Sequence, residues 1–386
     1  MLQVYLDNSA TTPVDPQVVA AMEPYWQTQF GNPSSPHRLG IEAESVLSQC
    51  RKFLAQQFNV RADELYFTSG GTESNNLAIL GYAYAQYQPG HIITSKIEHL
   101  SVLNPIAHLE ESCGWRVSRL PADRWGKIDP QSVAEAISPD TALISIMLVN
   151  NEIGSIQAVE QIGQIIAAAN RNRRQKIVFH VDACQALGSV PIDIKGSKID
   201  LLSVSGHKIF GPKGTGLLYI KDGLHLRPLL FGGGQEGGLR SGTENLPGIV
   251  GLAKACELAF KEFEKNKAAV AELKDRLILQ LLEIPDSLLN SPADGADHII
   301  SVRFAGIKGE VLVHFLEQHG VYVSMGAACS SRKSSISHVL KAIGLTPDEA
   351  AATIRIGLSP KLTTAQIDYA AEKIAASVAE VRSIYG

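Results

Sequence analysis

The chain has 386 residues, 45% of them hydrophobic and 19% charged, with a formal net charge of −4. That length exceeds what one small core needs, so a large domain with a smaller companion is expected. The mild acidic balance gives no sign of nucleic-acid or membrane-surface binding. The start, Met1-Leu-Gln-Val-Tyr-Leu-Asp7, lacks a basic segment followed by a long apolar stretch, so no signal peptide is expected. No run approaches ~18 uninterrupted apolar residues, the length of a membrane-spanning helix. The five cysteines, at 50, 113, 184, 256 and 329, are odd in number, scattered and without a C-x-x-C pair. This argues against a disulfide framework and a zinc site, and for a reducing cytoplasm.

Taken in chain order, apolar β-branched runs predict strands at residues 64–67, 91–95, 115–120, 142–149, 177–181, 201–204 and 216–220. Helical patterns lie between several of them, at 72–87, 101–112 and 159–170. The alternation predicts a mostly parallel seven-stranded sheet covered by helices on both faces. Residues 231–240 are glycine-rich and read as a loop. A long helical stretch, 245–282, reads as a connector. Strands near 298–304 and 321–324, with helices near 309–318 and 363–383, predict a smaller α+β domain. The expected division is 15–260 for the large domain, and 1–14 with 261–386 for the small one. No internal repeat, charge block or low-complexity linker stands out.

In such sheets ligands bind beyond the carboxyl ends of the strands, and the chemically interesting residues sit there. The run Asp200-Leu-Leu-Ser-Val-Ser-Gly-His-Lys208 puts a lysine just past a strand end, where it can hold an aldehyde as a Schiff base. The strand-like run before Asp182 ends in an acid, with Gln185 three residues on. Pyridoxal phosphate needs such a set: a lysine for its aldehyde, an acid for its ring nitrogen and donors for its phosphate. Thr68-Ser-Gly-Gly-Thr-Glu-Ser-Asn-Asn76 runs from a strand into a helix. Gly71 and Thr72 there are candidate phosphate donors, the alternative being an ordinary capped helix start. Ser205 and His207 bracket the lysine side of that cradle. His99, after a strand and its exit loop, can stack on a cofactor ring and move protons, the alternative being a structural histidine.

Two further residues lie in the second half. Cys329, in Ser324-Met-Gly-Ala-Ala-Cys-Ser-Ser331, is surrounded by small and polar residues, as an accessible nucleophilic thiol would be. Cys50, Cys113 and Cys256 fall in helical patterns and read as core, and Cys184 reads as packing. Arg355, in a strand-like run, is either a clamp for a substrate carboxylate or a surface arginine.

Together these stretches resemble the cysteine desulfurases, pyridoxal-phosphate enzymes of the class V aminotransferase group. The resemblance runs through Tyr5-Leu-Asp-Asn-Ser-Ala-Thr-Thr12, Phe30-Gly-Asn-Pro33, Phe67-Thr-Ser-Gly-Gly-Thr-Glu-Ser74 and Val149-Asn-Asn-Glu-Ile-Gly154. It continues in His180-Val-Asp-Ala183, Ser205-Gly-His-Lys208, Gly232-Gly-Gly-Gln-Glu236 and Arg240-Ser-Gly-Thr243. It implies an α/β fold of type I, aspartate-aminotransferase-like. It implies Lys208 as the Schiff-base lysine, Asp182 on the pyridine nitrogen, Gln185 on the ring hydroxyl and His99 over the ring. Thr72, Ser205 and His207 fall to the phosphate, with Thr243 arriving from the partner subunit of a homodimer. Asn151 and Arg355 match the substrate-carboxylate contacts, and Cys329 the persulfide-forming cysteine. The implied reaction converts L-cysteine to L-alanine and passes sulfur to an iron–sulfur scaffold or another acceptor protein. The stretch 330–338 has the extended length of members serving general iron–sulfur assembly. Met325 stands where the family usually has serine or glycine, and Arg332 and Lys333 make the segment more basic than the family pattern. A selenocysteine lyase or C–S lyase on the same fold is the alternative enzyme; a sulfur-relay protein without catalysis is the alternative of another class.

Overall fold

The computed structural model describes residues 2–325 and 336–385. Cys329, Arg332 and Lys333 lie outside the described residues. The strands in chain order are β1 (Val4–Tyr5), β2 (Leu65–Thr68), β3 (His91–Ser95), β4 (Arg116–Leu120), β5 (Thr141–Ser145), β6 (Val178–Asp182), β7 (Leu201–Ser205), β8 (Gly216–Ile220), β9 (Ser287–Leu289), β10 (Ile299–Phe304), β11 (Val321–Tyr322) and β12 (Thr353–Gly357).

Seven of them form one sheet in the order β2-β8-β7-β6-β5-β3-β4. The pairs β3–β4, β3–β5, β5–β6 and β6–β7 are parallel, and β8 runs antiparallel to both β2 and β7. The expected seven strands and mostly parallel order are therefore present, with one reversed strand. β3, β5, β6, β7 and β8 are buried at every residue. That burial explains their near-continuous apolar runs, since both faces of a parallel sheet are covered. Successive residues serve opposite faces: Ile93, Ile144 and Leu202 join one core cluster, whereas Ile92, Leu143 and Leu201 join the other.

A second core holds Val4, Leu6, Leu277, Phe304, Leu312, Ile354, Ile356 and Ile374. Its sheet is antiparallel, in the order β12-β10-β9, and β1 pairs with β11 beside it. From there residues 7–12 cross back to the large sheet, where the Thr12 amide donates to the His207 carbonyl at 2.9 Å.

The single helix expected over 245–282 is two helices, Leu246–Lys261 and Phe263–Leu282, broken at Glu262 (φ −102°, ψ 9°). Neither proline nor glycine breaks it. The first helix buries Leu246, Leu252 and Cys256 in the large core, and the second buries Val270, Leu277 and Leu281 in the small one. Each segment follows its own core, so the axis bends between them.

Candidate active site

The carboxyl ends of β2, β3, β5, β6 and β7 meet along one edge of the sheet, and a cavity of about 720 Å³ opens there. A volume of that size suits a small-molecule site. Lys208 ends the short turn Gly206–Lys208 directly after β7. Its Nζ donates to the carbonyl oxygens of Ser9 at 2.5 Å and Ala10 at 2.8 Å, on the N-terminal segment. Asp182 ends β6 and is buried. Its Oδ2 accepts from Asn75 Nδ2 at 2.7 Å, and its Oδ1 from the Cys184 amide at 2.9 Å. Gln185 lies in the same wall and donates through Nε2 to the Ser9 carbonyl at 2.9 Å.

His99 is the N-cap of the helix Leu100–Cys113. Its Nδ1 accepts from the Ser101 amide at 3.1 Å and lies 2.7 Å from Ser101 Oγ. Burial, foremost, pushes its pKa down, with Lys208 and His338 adding to the effect and Asp182 opposing it.

The opposite end of the cavity is built from glycine. Gly70 has φ +148°, a conformation only glycine adopts freely, and Gly71 begins the helical stretch. A Cβ at Gly71 would meet Cys184 Sγ at 2.4 Å, with Ser205 Cβ 3.6 Å away. The backbone amides of Gly71 and Thr72 therefore stand open at a helix start, beside Ser205 and His207, which suits a phosphate. His207 Nδ1 lies 3.1 Å from Thr11 Oγ1, and burial, then Lys208 and Lys213, holds its pKa down at about 4. Glu73, one residue past Thr72, binds Arg240 Nε at 2.9 Å and so ties the glycine-rich loop to the cradle. Thr243, on that loop, is exposed and does not line the cavity of its own chain.

Arg355, in β12, closes the remaining side. It is 2% exposed, which overturns the surface alternative. Its guanidinium donates to the Asn151 carbonyl and to Asp7 Oδ1, each at 2.9 Å. The chain on either side of residues 326–335 returns to this cleft. Ser324 exchanges backbone hydrogen bonds with Arg355 at 2.6 and 3.1 Å, and Ser337 Oγ donates to the buried Glu152 at 2.5 Å. His338 Nε2 lies 2.8 Å from the Glu98 carbonyl. Burial raises the Glu98 carboxyl to about 8, partly offset by Ser95 and the Met147 amide. Burial also pushes the Cys50 thiol up to about 11 and Cys256 to about 12, and Cys184 rises well above the ordinary range. Such thiols stay protonated, as packing residues do.

Sequence reading placed Glu98 and Glu152 at the strand ends without a role, and missed Ser9, Asn75, Ser101 and His338. Asn75 sits four residues past Gly71, one helical turn on, and that spacing was the available signal.

The lysine, the buried acid and the glycine-opened helix start at one sheet edge suit pyridoxal phosphate and define a pyridoxal-phosphate enzyme of fold type I. The chain belongs to the aminotransferase class-V family, whose model matches residues 4–370. It is 46% identical over 383 residues to the cysteine desulfurase IscS of Methanosarcina thermophila, covering 99% of this chain and 93% of that protein. It is 41% identical over 387 residues to the cysteine desulfurase of Mus musculus, covering 99% and 82%. Among solved structures, a NifS-like protein superposes with a TM-score of 0.92 at 36% identity, covering 98% of this chain and all of that one. A structure of SspA in complex with cysteine superposes at 0.81 with 38% identity, covering 93% and 99%.

Proposed function

We propose that this chain is a cysteine desulfurase that converts L-cysteine to L-alanine and leaves the sulfur as a persulfide on Cys329. One observation carries the reading. The Lys208 amine, the Asp182 carboxylate, the Gly71 cradle and the Arg355 guanidinium face one cavity, and the chain flanking Cys329 is fastened at its rim.

Lys208 would hold the cofactor aldehyde, Asp182 the ring nitrogen and Gln185 the ring hydroxyl; Gly71, Thr72, Ser205 and His207 would hold the phosphate. When bound, pyridoxal phosphate supplies an electron sink that labilises bonds at the substrate's α carbon. Asn151 and Arg355 would bind the substrate carboxylate, and His99 would face the ring. Lys208 would move the α proton. The overall exchange balances within this set. The Cβ–S bond of cysteine breaks as an S–S bond forms to Cys329, and the electron pair stays with carbon, which takes up a proton.

A homodimer is part of the reading. Thr243 stands outside its own cavity, and on the same loop Phe231 is 84% and Leu230 47% exposed, as residues of an interface are. The sulfur acceptor would be an iron–sulfur scaffold or another acceptor protein. Among the described residues no helix is long and apolar enough to cross a membrane, and the unpaired cysteines suit the cytoplasm.

The test is Cys329→Ser. The variant should keep the visible absorption of bound cofactor and its response to L-cysteine, while protein-bound sulfur disappears and alanine release collapses. Sulfur release at the wild-type rate would replace the desulfurase with a C–S lyase.

A further inference from the structure

A line of hydrogen bonds joins Asp182, proposed for the ring nitrogen, to His99, proposed to face the ring. Asn75 Nδ2 donates to Asp182 Oδ2 at 2.7 Å and to Ser101 Oγ at 2.8 Å, and Ser101 Oγ lies 2.7 Å from His99 Nδ1. All four residues line the cavity, and Asn75, Ser101 and Asp182 are buried.

The direction of each bond follows from donor chemistry. An ionised carboxylate accepts only, so Asn75 must turn its NH2 group, not its oxygen, toward Asp182. The second N–H of that group then points at Ser101, whose oxygen accepts it. The single hydroxyl proton of Ser101 is left for His99 Nδ1. The Ser101 backbone N–H also donates to Nδ1, at 3.1 Å. Nδ1 thus receives two donors and carries no proton of its own.

We propose that Asn75 and Ser101 are positioning residues that transmit the charge of Asp182 to His99 and hold it as the neutral tautomer with its proton on Nε2. The inference rests on the reading that Asp182 and His99 flank the cofactor. Its consequence is that His99 presents a hydrogen-bond donor to the cleft rather than a base. Proton removal is then left to Lys208. Among the described residues, the charged and titratable groups acting on His99 are Asp182 after β6, Lys208 after β7 and His338 beyond Ser337. Two of the three oppose a second proton on the ring, in the same sense as the doubly donated Nδ1.

The test uses holoenzyme labelled with 15N-histidine, with His99 assigned by the signals lost in His99→Gln. The wild type should show an unprotonated Nδ1 and a protonated Nε2, unchanged as pH falls through the ordinary histidine range near ~6.5. Ser101→Ala removes the hydroxyl donor and should raise the proton affinity of His99 about tenfold, moving the acid limb of turnover upward with it. Ser101→Thr keeps the hydroxyl and should restore wild-type behaviour. Asn75→Leu frees the Ser101 hydroxyl to rotate and should populate both tautomers. A proton on Nδ1 in the wild type overturns the proposal without any Ser101 or Asn75 variant, and so does an unmoved titration in Ser101→Ala. If His99→Gln leaves cofactor absorption and affinity untouched, the placement of His99 over the ring fails, while the tautomer measured on the wild-type ring still decides the present point.

Discussion

At Lys208 one flexible amine is held against two backbone carbonyls, and nothing but a primary amine can occupy that place and form a Schiff base. Lys208→Ala should abolish borohydride-trapped attachment of the cofactor, read by intact mass, with turnover falling to background. A variant that still shows trapped cofactor would move the attachment elsewhere. Asp182 supplies the neighbouring charge. Asp182→Asn keeps the shape and one acceptor for Asn75, but a neutral amide stabilises a protonated pyridine poorly. Cofactor should remain bound while alanine production is crippled, and wild-type output would show that another group holds the ring nitrogen. Arg355, proposed for the substrate carboxylate, also pins Asp7 and the Asn151 carbonyl, which its sequence context does not reveal. Truncation would leave Asp7 without its partner, so Arg355→Lys is the cleaner probe. Lysine keeps the charge but loses the planar fork. The KM for L-cysteine should rise about 10- to 150-fold, the equivalent of ~1.5–3 kcal/mol for a charge-assisted contact. An unchanged KM would remove Arg355 from the substrate site.

Elements place these residues, and the sequence was legible where an element repeats a simple rule. The five strands β3, β5, β6, β7 and β8 are near-continuous apolar runs because both faces are covered, and Asp182 and Lys208 were visible because polar residues interrupt those runs at the strand ends. The helix Arg38–Gln57 was overlooked although it buries Ala43, Leu47 and Leu54 at helical spacing. β1, with two residues, and β9, with three, carry no period long enough to read. The break at Glu262 was illegible because it arises from two separate cores and not from a local breaker. Asn75 and Ser101 were missed for a related reason: their role exists only once the helix starts after β2 and β3 are brought side by side. Gly71 tests the element scale. Gly71→Ala adds a Cβ into Cys184 Sγ at 2.4 Å, with Ser205 beyond it. Either Cys184 or the helix start must shift at the proposed phosphate site, so cofactor affinity should drop about tenfold by equilibrium titration while the helix content by circular dichroism stays constant. Unaltered affinity would show that the phosphate binds elsewhere.

At the scale of the whole molecule, the N-terminal segment is the strap between the two cores: Val4 and Leu6 pack in the small one, and Ser9 to Thr12 bond to Lys208, Gln185 and His207 at the large sheet. Fold stability and site geometry therefore share the same buried polar groups, which gives the molecule a definite acid limit. His180 lies in the middle of β6 and is wholly buried, with Nδ1 2.8 Å from Ser145 Oγ and Nε2 3.0 Å from Ser203 Oγ. Burial lowers its pKa to about 4, against a small opposing effect of Asp182. In the unfolded chain the same imidazole titrates near ~6.5. Between those values the unfolded state binds a proton that the folded state refuses, so stability falls as pH drops. The His180 contribution is complete above ~6.5 and is lost progressively toward about 4, on the order of 3 kcal/mol for this one group. Denaturant midpoints measured from pH 7 to pH 4 should decline along that limb, and His180→Gln, which cannot protonate, should make it shallower while lowering the plateau at pH 7, the remainder belonging to His207 and His298, which burial also lowers to about 4. An equally steep decline in the variant would remove His180 from the acid limb.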